Sequence, residues 1–143
     1  MGTAVVVGVD GSPASVAALQ HGHRLAAAMD VEVHAVACWL APQMAQGHAV
    51  MGISHFEEKA RLTLNDAVVA AFGNPPPPNL RTRLVNGDAR QVLLSAGKDA
   101  GMLVVGRRGH GGFGGLLLGS VSSACVAHAE CPVLVVHAAR AAL

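Results

Sequence analysis

The residues from Gly106 to Ser123 read Gly-Arg-Arg-Gly-His-Gly-Gly-Phe-Gly-Gly-Leu-Leu-Leu-Gly-Ser-Val-Ser-Ser, with seven glycines in the first fourteen positions. Glycine lacks the Cβ that keeps a backbone N–H away from a ligand. The run leads into a predicted helix starting at Ser120, whose first N–H groups have no intrahelical acceptor and carry roughly half a positive charge. Together these make a phosphate cradle. Ser120 and Ser122 add hydroxyl donors, and Arg107 and Arg108 add positive charge. The loop is not of the Walker type, because no Gly-Lys-Ser/Thr follows. Gly109–Gly114 has the spacing G-x-G-x-x-G, but it follows the fourth strand, and about twenty positions on there is only Glu130, at a helix end, where dinucleotide binding requires an acidic residue.

A cradle of this kind needs strands and helices to hold it, and the chain has both. Short Val-rich runs at Thr3–Val9, Val31–Cys38, Leu80–Val85, Met102–Val105 and Pro132–His137 read as buried strands. Between them, helical spacing covers Pro13–Met29, Ser54–Phe72, Ala89–Ala100 and Ser120–Ala129. Ser12 is the expected N-cap of the first helix and Asp88 of the third. Val16, Leu19 and Ala26 are expected to face the sheet. Alternating strands and helices imply right-handed crossovers and an open, doubly wound α/β sandwich of five parallel strands. At 143 residues the chain has the length of one domain, taken as 1–143. Ligands of such sheets bind beyond the carboxyl ends of the strands, where strand order reverses. Asp10-Gly11-Ser12, Ala37-Cys38-Trp39 and the glycine-rich run all fall there.

The spacing Gly106-x2-Gly109-x9-Gly119-Ser120 resembles the nucleotide-phosphate motif of the universal stress protein family, in its ATP-binding branch. Val6–Ser12 with its aspartate, the helix Ser120–Ala129 and the closing Cys131-Pro132-Val133-Leu134-Val135-Val136 are similar to the family's elements in the same order. The resemblance implies a strand order 3-2-1-4-5 and bound ATP with Mg²⁺. It places Asp10 near the adenosine and the metal-phosphate end, with Mg²⁺ reached through water or phosphate. It places the backbone of Val36 against adenine, with Gly87 beside the nucleotide. Gly106 and Gly109 then pass close to ribose and phosphates, and Gly119, Ser120 and Val121 close around the phosphates with Ser122 assisting, beside the charge that the residues alone assign to Arg108. It also implies a homodimer through Pro132–His137. An apolar edge strand left bare invites uncontrolled pairing, and a two-fold partner closes it.

Read without the family, several of these residues keep a second reading. Asp10 is also a turn or capping aspartate, Arg107 and Arg108 are also solvated loop cations, and Trp39 packs either beside a base or at the rim of the core. Cys125, His128, Cys131 and His137 form a metal-like set, but the paired spacing of zinc sites is missing and packed cysteines are the commoner case. His21 and His23 point different ways on their helix. Phe113 and Leu116–Leu118 read as a loop anchor.

Composition narrows the function further. Hydrophobic residues make up 52% of the chain and charged ones 13%, and the net charge is +1 with scattered basic residues. This excludes disorder and gives no basic stripe for nucleic acid. No apolar run reaches the ~20 residues of a membrane span. The start carries Asp10 early and gives no secretory signal, and the three cysteines give no disulfide framework, so a cytoplasmic location is expected. Met-Gly opens a myristoylation motif, but Val6 stands where Ser or Thr is required. The expected function is ATP-dependent regulation in a stress response. Only His110 is a titratable group near the phosphates, so at most slow hydrolysis is expected. The alternatives are an adenylating or ATP-hydrolysing enzyme on a related fold, which product formation would reveal, and a nucleotide-free interaction module, which nucleotide content would exclude.

Overall fold

Five short strands pair side by side, all parallel, in a computed structural model that describes residues 3–41, 52–107 and 118–138. The edge strand at Leu80–Asn86, expected to be buried, is largely exposed, with one valine and two arginines. The elements are β1 (Val5–Val9), α1 (Pro13–Met29), β2 (Val33–Trp39), α2 (Ile53–Phe72), β3 (Leu80–Asn86), α3 (Ala89–Gly97), β4 (Met102–Gly106), α4 (Ser120–His128) and β5 (Val133–Val136). The sheet order is β3-β2-β1-β4-β5, as the resemblance implied. Val5 pairs with Val33 on one side and Met102 on the other, so β1 is the central strand.

Strand alternation sends successive side chains to opposite faces. Val5, Val7 and Val9 join Leu19, Ala26, Val33, Leu64 and Val68 in the core beneath α1 and α2. Val6 joins Val36, Leu93, Leu103, Val105 and Cys125 in the core beneath α3 and α4. Both faces of the central strands are therefore covered, which accounts for their nearly unbroken apolar sequence. Of the helix residues expected to face the sheet, Leu19 and Ala26 are fully buried and Val16 packs at the margin of the same core.

The local signals act as their chemistry demands. Ser12 Oγ accepts the Ser15 N–H and Pro13 opens α1. Asp88 accepts the Arg90 N–H at the start of α3. The strand expected at Val31 begins two residues later. Asp30 adopts a left-handed conformation (φ 58°) and the Val31 N–H still bonds the Ala26 carbonyl, so the helix cap occupies these residues. Helix α3, expected to run to Ala100, ends at Gly97. The Lys98 and Asp99 N–H groups turn to the carbonyls of Ser95 and Ala96, an i to i−3 pattern that tightens the exit.

Candidate functional site

Beyond the carboxyl ends of β1, β2 and β4 lies a cavity of about 530 Å³. Its size falls in the range of small-molecule sites. It lies where the chain leaves β1 for β2 on one side and β4 stands on the other, the switch point of the sheet. Asp10, Val36, Gly106, Gly119, Ser120, Val121 and Ser122 all line it. Arg108 and Gly109 lie outside the described residues.

The β1 wall is a tight turn. Gly11 has φ 84°, a conformation costly for any residue with a Cβ. That turn lets Asp10 Oδ1 accept the Ser12 N–H at 2.9 Å. Ser15 Oγ in turn donates to the Ser12 carbonyl at 3.0 Å. Asp10 is thus a turn former and a cavity-lining carboxylate at once.

The β4 wall is built on the backbone of one residue, Arg107. The Arg107 N–H donates to the Val136 carbonyl at 2.7 Å, and the Arg107 carbonyl accepts the Gly119 N–H at 2.8 Å. The Ser122 hydroxyl donates to the same Arg107 carbonyl at 2.7 Å, with the Gly119 carbonyl a second acceptor at 3.2 Å. Both ends of the glycine-rich segment are thereby held together at the mouth of the cavity. Gly119 caps α4 without a side chain, and no side-chain hydrogen bond caps the helix. The N–H groups of Ser120, Val121 and Ser122 precede the first intrahelical bond and belong to the positive end of the helix. Ser120 is exposed and Ser122 buried. A Cβ on Gly106 would stand 2.7 Å from Ala14 Cβ and 3.0 Å from the Ala14 carbonyl carbon. The missing side chain therefore admits the start of α1.

The β2 wall departs from expectation in register. Strand β2 runs three residues past Val36, to Trp39. The Val5 N–H bonds the Glu32 carbonyl, and the alternation of a parallel ladder then turns the even-numbered residues of β2 towards β1. Both backbone groups of Val36 are committed to β1 in that register. The next residue of the set is Cys38, beyond the last β1 pair, Val9 with Ala37. Cys38 also lines the cavity, and its backbone lies at the strand end where Val36 was expected. Gly87 does not line this cavity. Its N–H donates to the Trp39 carbonyl at 2.9 Å, and a Cβ there would stand 2.9 Å from Val92 Cγ2. It secures the end of β2 from behind and lines a separate concavity of about 1130 Å³ beside α3, together with His34, Arg83 and Gln91.

One wall was not anticipated. Phe56, Lys59, Ala60 and Thr63 of α2 line the cavity together with Trp39 and Leu40. The signal was their i, i+3, i+4, i+7 spacing, which puts them on one helix face.

Among the described residues lining the cavity, Asp10 is the only carboxylate and Lys59 the only ammonium or guanidinium group. Burial, with a smaller contribution from the Asp88 carboxylate, pushes the Cys38 thiol up to about 11. Among the described residues no group of three or more His, Cys, Asp or Glu side chains is placed to hold a metal ion. Burial also raises the thiols of Cys125 and Cys131, and both belong to the core beneath α3 and α4. No described helix is long and apolar enough to cross a membrane.

The model of the universal stress protein family matches residues 1–137. A universal stress protein of Mycobacterium tuberculosis strain H37Rv is 34% identical over 143 residues, covering 93% of this chain and 47% of its own length. One from Mycolicibacterium smegmatis is 33% identical over 137 residues, covering 93% and 45%. The chain thus spans about half the length of these curated relatives. Among solved structures, UspA from Lactobacillus plantarum superposes with a TM-score of 0.72 at 23% identity, covering 94% of this chain and 97% of that one. A universal stress protein in complex with cAMP gives 0.61 at 26% identity, covering 96% and 98%. The protein from Archaeoglobus fulgidus in complex with dAMP gives 0.56 at 17%, covering 94% and 97%. The likenesses below 25% identity speak to fold alone.

Proposed function

The chain belongs to the universal stress protein family, and from that premise we propose that it binds ATP as its Mg²⁺ complex and acts as a nucleotide-dependent regulatory protein. The observation that carries this reading is the meeting, in one cavity, of the Asp10 turn, the Gly106 strand end and the side-chain-free start of α4. Phosphate oxygens fit the N–H groups of Ser120, Val121 and Ser122, which offer donors and a positive helix end. Arg108 and Gly109 belong to the same cradle in this reading. Ser122 contributes its N–H, while its hydroxyl holds the loop ends together. The base edge meets the β2 end at Cys38, next to Val36.

Magnesium fits this site as a passenger of the phosphates. It keeps several waters and takes one or two carboxylates together with phosphate oxygens. Asp10 is the carboxylate the cavity offers. Bound Mg²⁺ would neutralise phosphate charge, and Asp10 would hold it directly or through water. No catalytic residue is assigned, and hydrolysis is at most slow in this reading. A homodimer through β5 belongs to the same proposal, since β5 stands at the edge of the sheet. Regulation in the cytoplasm is the matching location.

Isothermal titration of nucleotide-stripped protein with Mg-ATP tests the reading. A saturable site with one nucleotide per chain is expected, weaker when Mg²⁺ is withheld. Absence of heat and of any thermal shift with millimolar Mg-ATP would discard it. The relative solved with cAMP makes a monophosphate the competing ligand. Tighter binding of cAMP than of ATP in the same titration would replace ATP in the proposal.

A further inference from the structure

Helix α2 carries one continuous stripe with two different surroundings. Leu64, Ala67 and Val68 are buried in the core against β2. Phe56, Lys59, Ala60 and Thr63 extend the same stripe towards the start of the helix, where it lines the cavity. Phe56 remains half-buried, and so does Trp39 at the end of β2. Large apolar rings left half-covered beside a cavity are unspent contact surface.

Their placement in the sheet gives this surface a direction. Trp39 forms the last pair of β2, with Asn86, and its carbonyl is held by the Gly87 N–H. The phosphate-type donors cluster at the end of β4 and the start of α4. Strands β2 and β4 flank β1, so the two ends of the cavity are about two strand spacings, roughly 10 Å, apart. One end offers N–H groups and a positive helix terminus, and the other offers an indole and a phenyl ring. The His55 ring stands edge-on to Phe56 at 5.3 Å and 82°. A ligand that satisfies both ends has an anionic tail and a flat aromatic head.

We propose that Trp39 and Phe56 form the base-side wall of the site, contacting the heterocyclic base of a purine nucleotide whose phosphates lie at α4. The inference rests on the nucleotide reading above and adds to it two side chains that set preference for the base. Aromatic side chains bind bases through their π-faces, and alanine substitution at such contacts weakens binding roughly 5- to 150-fold.

The test compares ATP with inorganic tripolyphosphate, which has the anionic tail and no base, on nucleotide-stripped protein. Trp39 is the only tryptophan, so its emission reports directly on the base side. ATP is expected to change that emission and tripolyphosphate to leave it unchanged. Trp39→Ala is expected to weaken ATP binding at least about fivefold by calorimetry. Tripolyphosphate binding should stay within twofold, and Trp39→Phe should restore most of the ATP affinity. Should Trp39→Ala lose its fold by circular dichroism, Phe56→Ala carries the same comparison. Folded variants that bind ATP within twofold of the wild type would overturn the wall while leaving the nucleotide reading intact. An equal loss for ATP and tripolyphosphate would also overturn it. A wild-type protein that binds neither compound would sink both.

Discussion

Ser122 and Arg107 are fifteen residues apart in sequence, yet the buried Ser122 hydroxyl donates to the Arg107 carbonyl at 2.7 Å. The bond closes the neck of the glycine-rich segment and fixes the start of α4 against the end of β4. Replacing Ser122 with alanine removes this bond, while the Gly119 N–H still donates to the Arg107 carbonyl. A loss of about 0.5–1.5 kcal/mol is expected. Thermal melting should show a drop of a few degrees, together with weaker Mg-ATP binding because the helix start is less fixed. A melt unchanged from the wild type would mean that the neck is held by the backbone alone.

Asp10 has two duties, and one substitution separates them. Asparagine can still accept the Ser12 N–H through its side-chain oxygen, so the turn that Gly11 permits is kept. The negative charge is lost. Asp10→Asn is therefore expected to melt within a degree or two of the wild type. Its affinity for Mg-ATP should fall severalfold while that for metal-free ATP stays level or rises. Titrations with and without Mg²⁺ decide the matter, and equal losses in both would remove Asp10 from the metal.

Gly106 and Ala14 offer the clearest steric prediction. Alanine at Gly106 would put a methyl group 2.7 Å from Ala14 Cβ and 3.1 Å from the Ser15 nitrogen. Backbone cannot yield as a side-chain tip can, and overpacking of this kind costs about 1–3 kcal/mol. At roughly 2–4 °C per kcal/mol for a domain near this size, Gly106→Ala should lower Tm by several degrees without any ligand present. A variant that melts normally but binds ATP poorly would instead assign Gly106 to ligand approach.

The legible part of the molecule was the part governed by local chemistry and strand alternation. Ser12-Pro13 fixed the start of α1, Asp88 that of α3, and short apolar or β-branched runs marked all five strands. The Asp10 turn, Gly106 and the Gly119–Ser122 corner were legible because glycine spacing and helix starts carry their physics in the sequence. Val36 lines the cavity but its backbone is taken up in the ladder with β1, and Gly87 lies outside the cavity, since the length of β2 is decided by pairing with β3, out to Trp39 with Asn86. The α2 wall was missed for a related reason. The stripe Phe56-Lys59-Ala60-Thr63 looks like ordinary core spacing, and only tertiary placement separates it from Leu64 and Val68 below.

Cys38 gives a pH-dependent prediction. Its thiol is pushed up to about 11, chiefly by burial. An ordinary cysteine ionises near 8.5. Alkylation by iodoacetamide at pH 8 should therefore be much slower than for a free thiol, accelerating until the pH approaches 11. The raised value also has a sign for stability. The folded state holds the thiol proton more tightly than the unfolded chain, so this contribution is full below the unfolded pKa and disappears as pH rises through about 11. Since Cys38 lines the cavity, saturating Mg-ATP should slow the reaction further. Rapid labelling at pH 8, located by peptide mass spectrometry, would contradict both points.

The edge strand β5 carries the last prediction. The Leu103 N–H bonds the Pro132 carbonyl and the Arg107 N–H bonds the Val136 carbonyl. In a parallel ladder this phase turns the even-numbered residues of β5 towards β4. The N–H and C=O groups of Val133 and Val135 therefore point away from the sheet, along an edge that a second copy can pair with. Val135→Pro removes an outward donor and leaves the inward bonds of Leu134 and Val136 in place, as proline is tolerated on the free side of an edge strand. Sedimentation velocity should find the wild type dimeric and Val135→Pro predominantly monomeric. Val135→Ala, which keeps the N–H, should remain dimeric. The Arg107 bond to Val136 also ties this edge to the neck of the phosphate loop, so monomerisation should weaken Mg-ATP binding as well. A Val135→Pro protein that stays dimeric would move the interface to another face of the molecule.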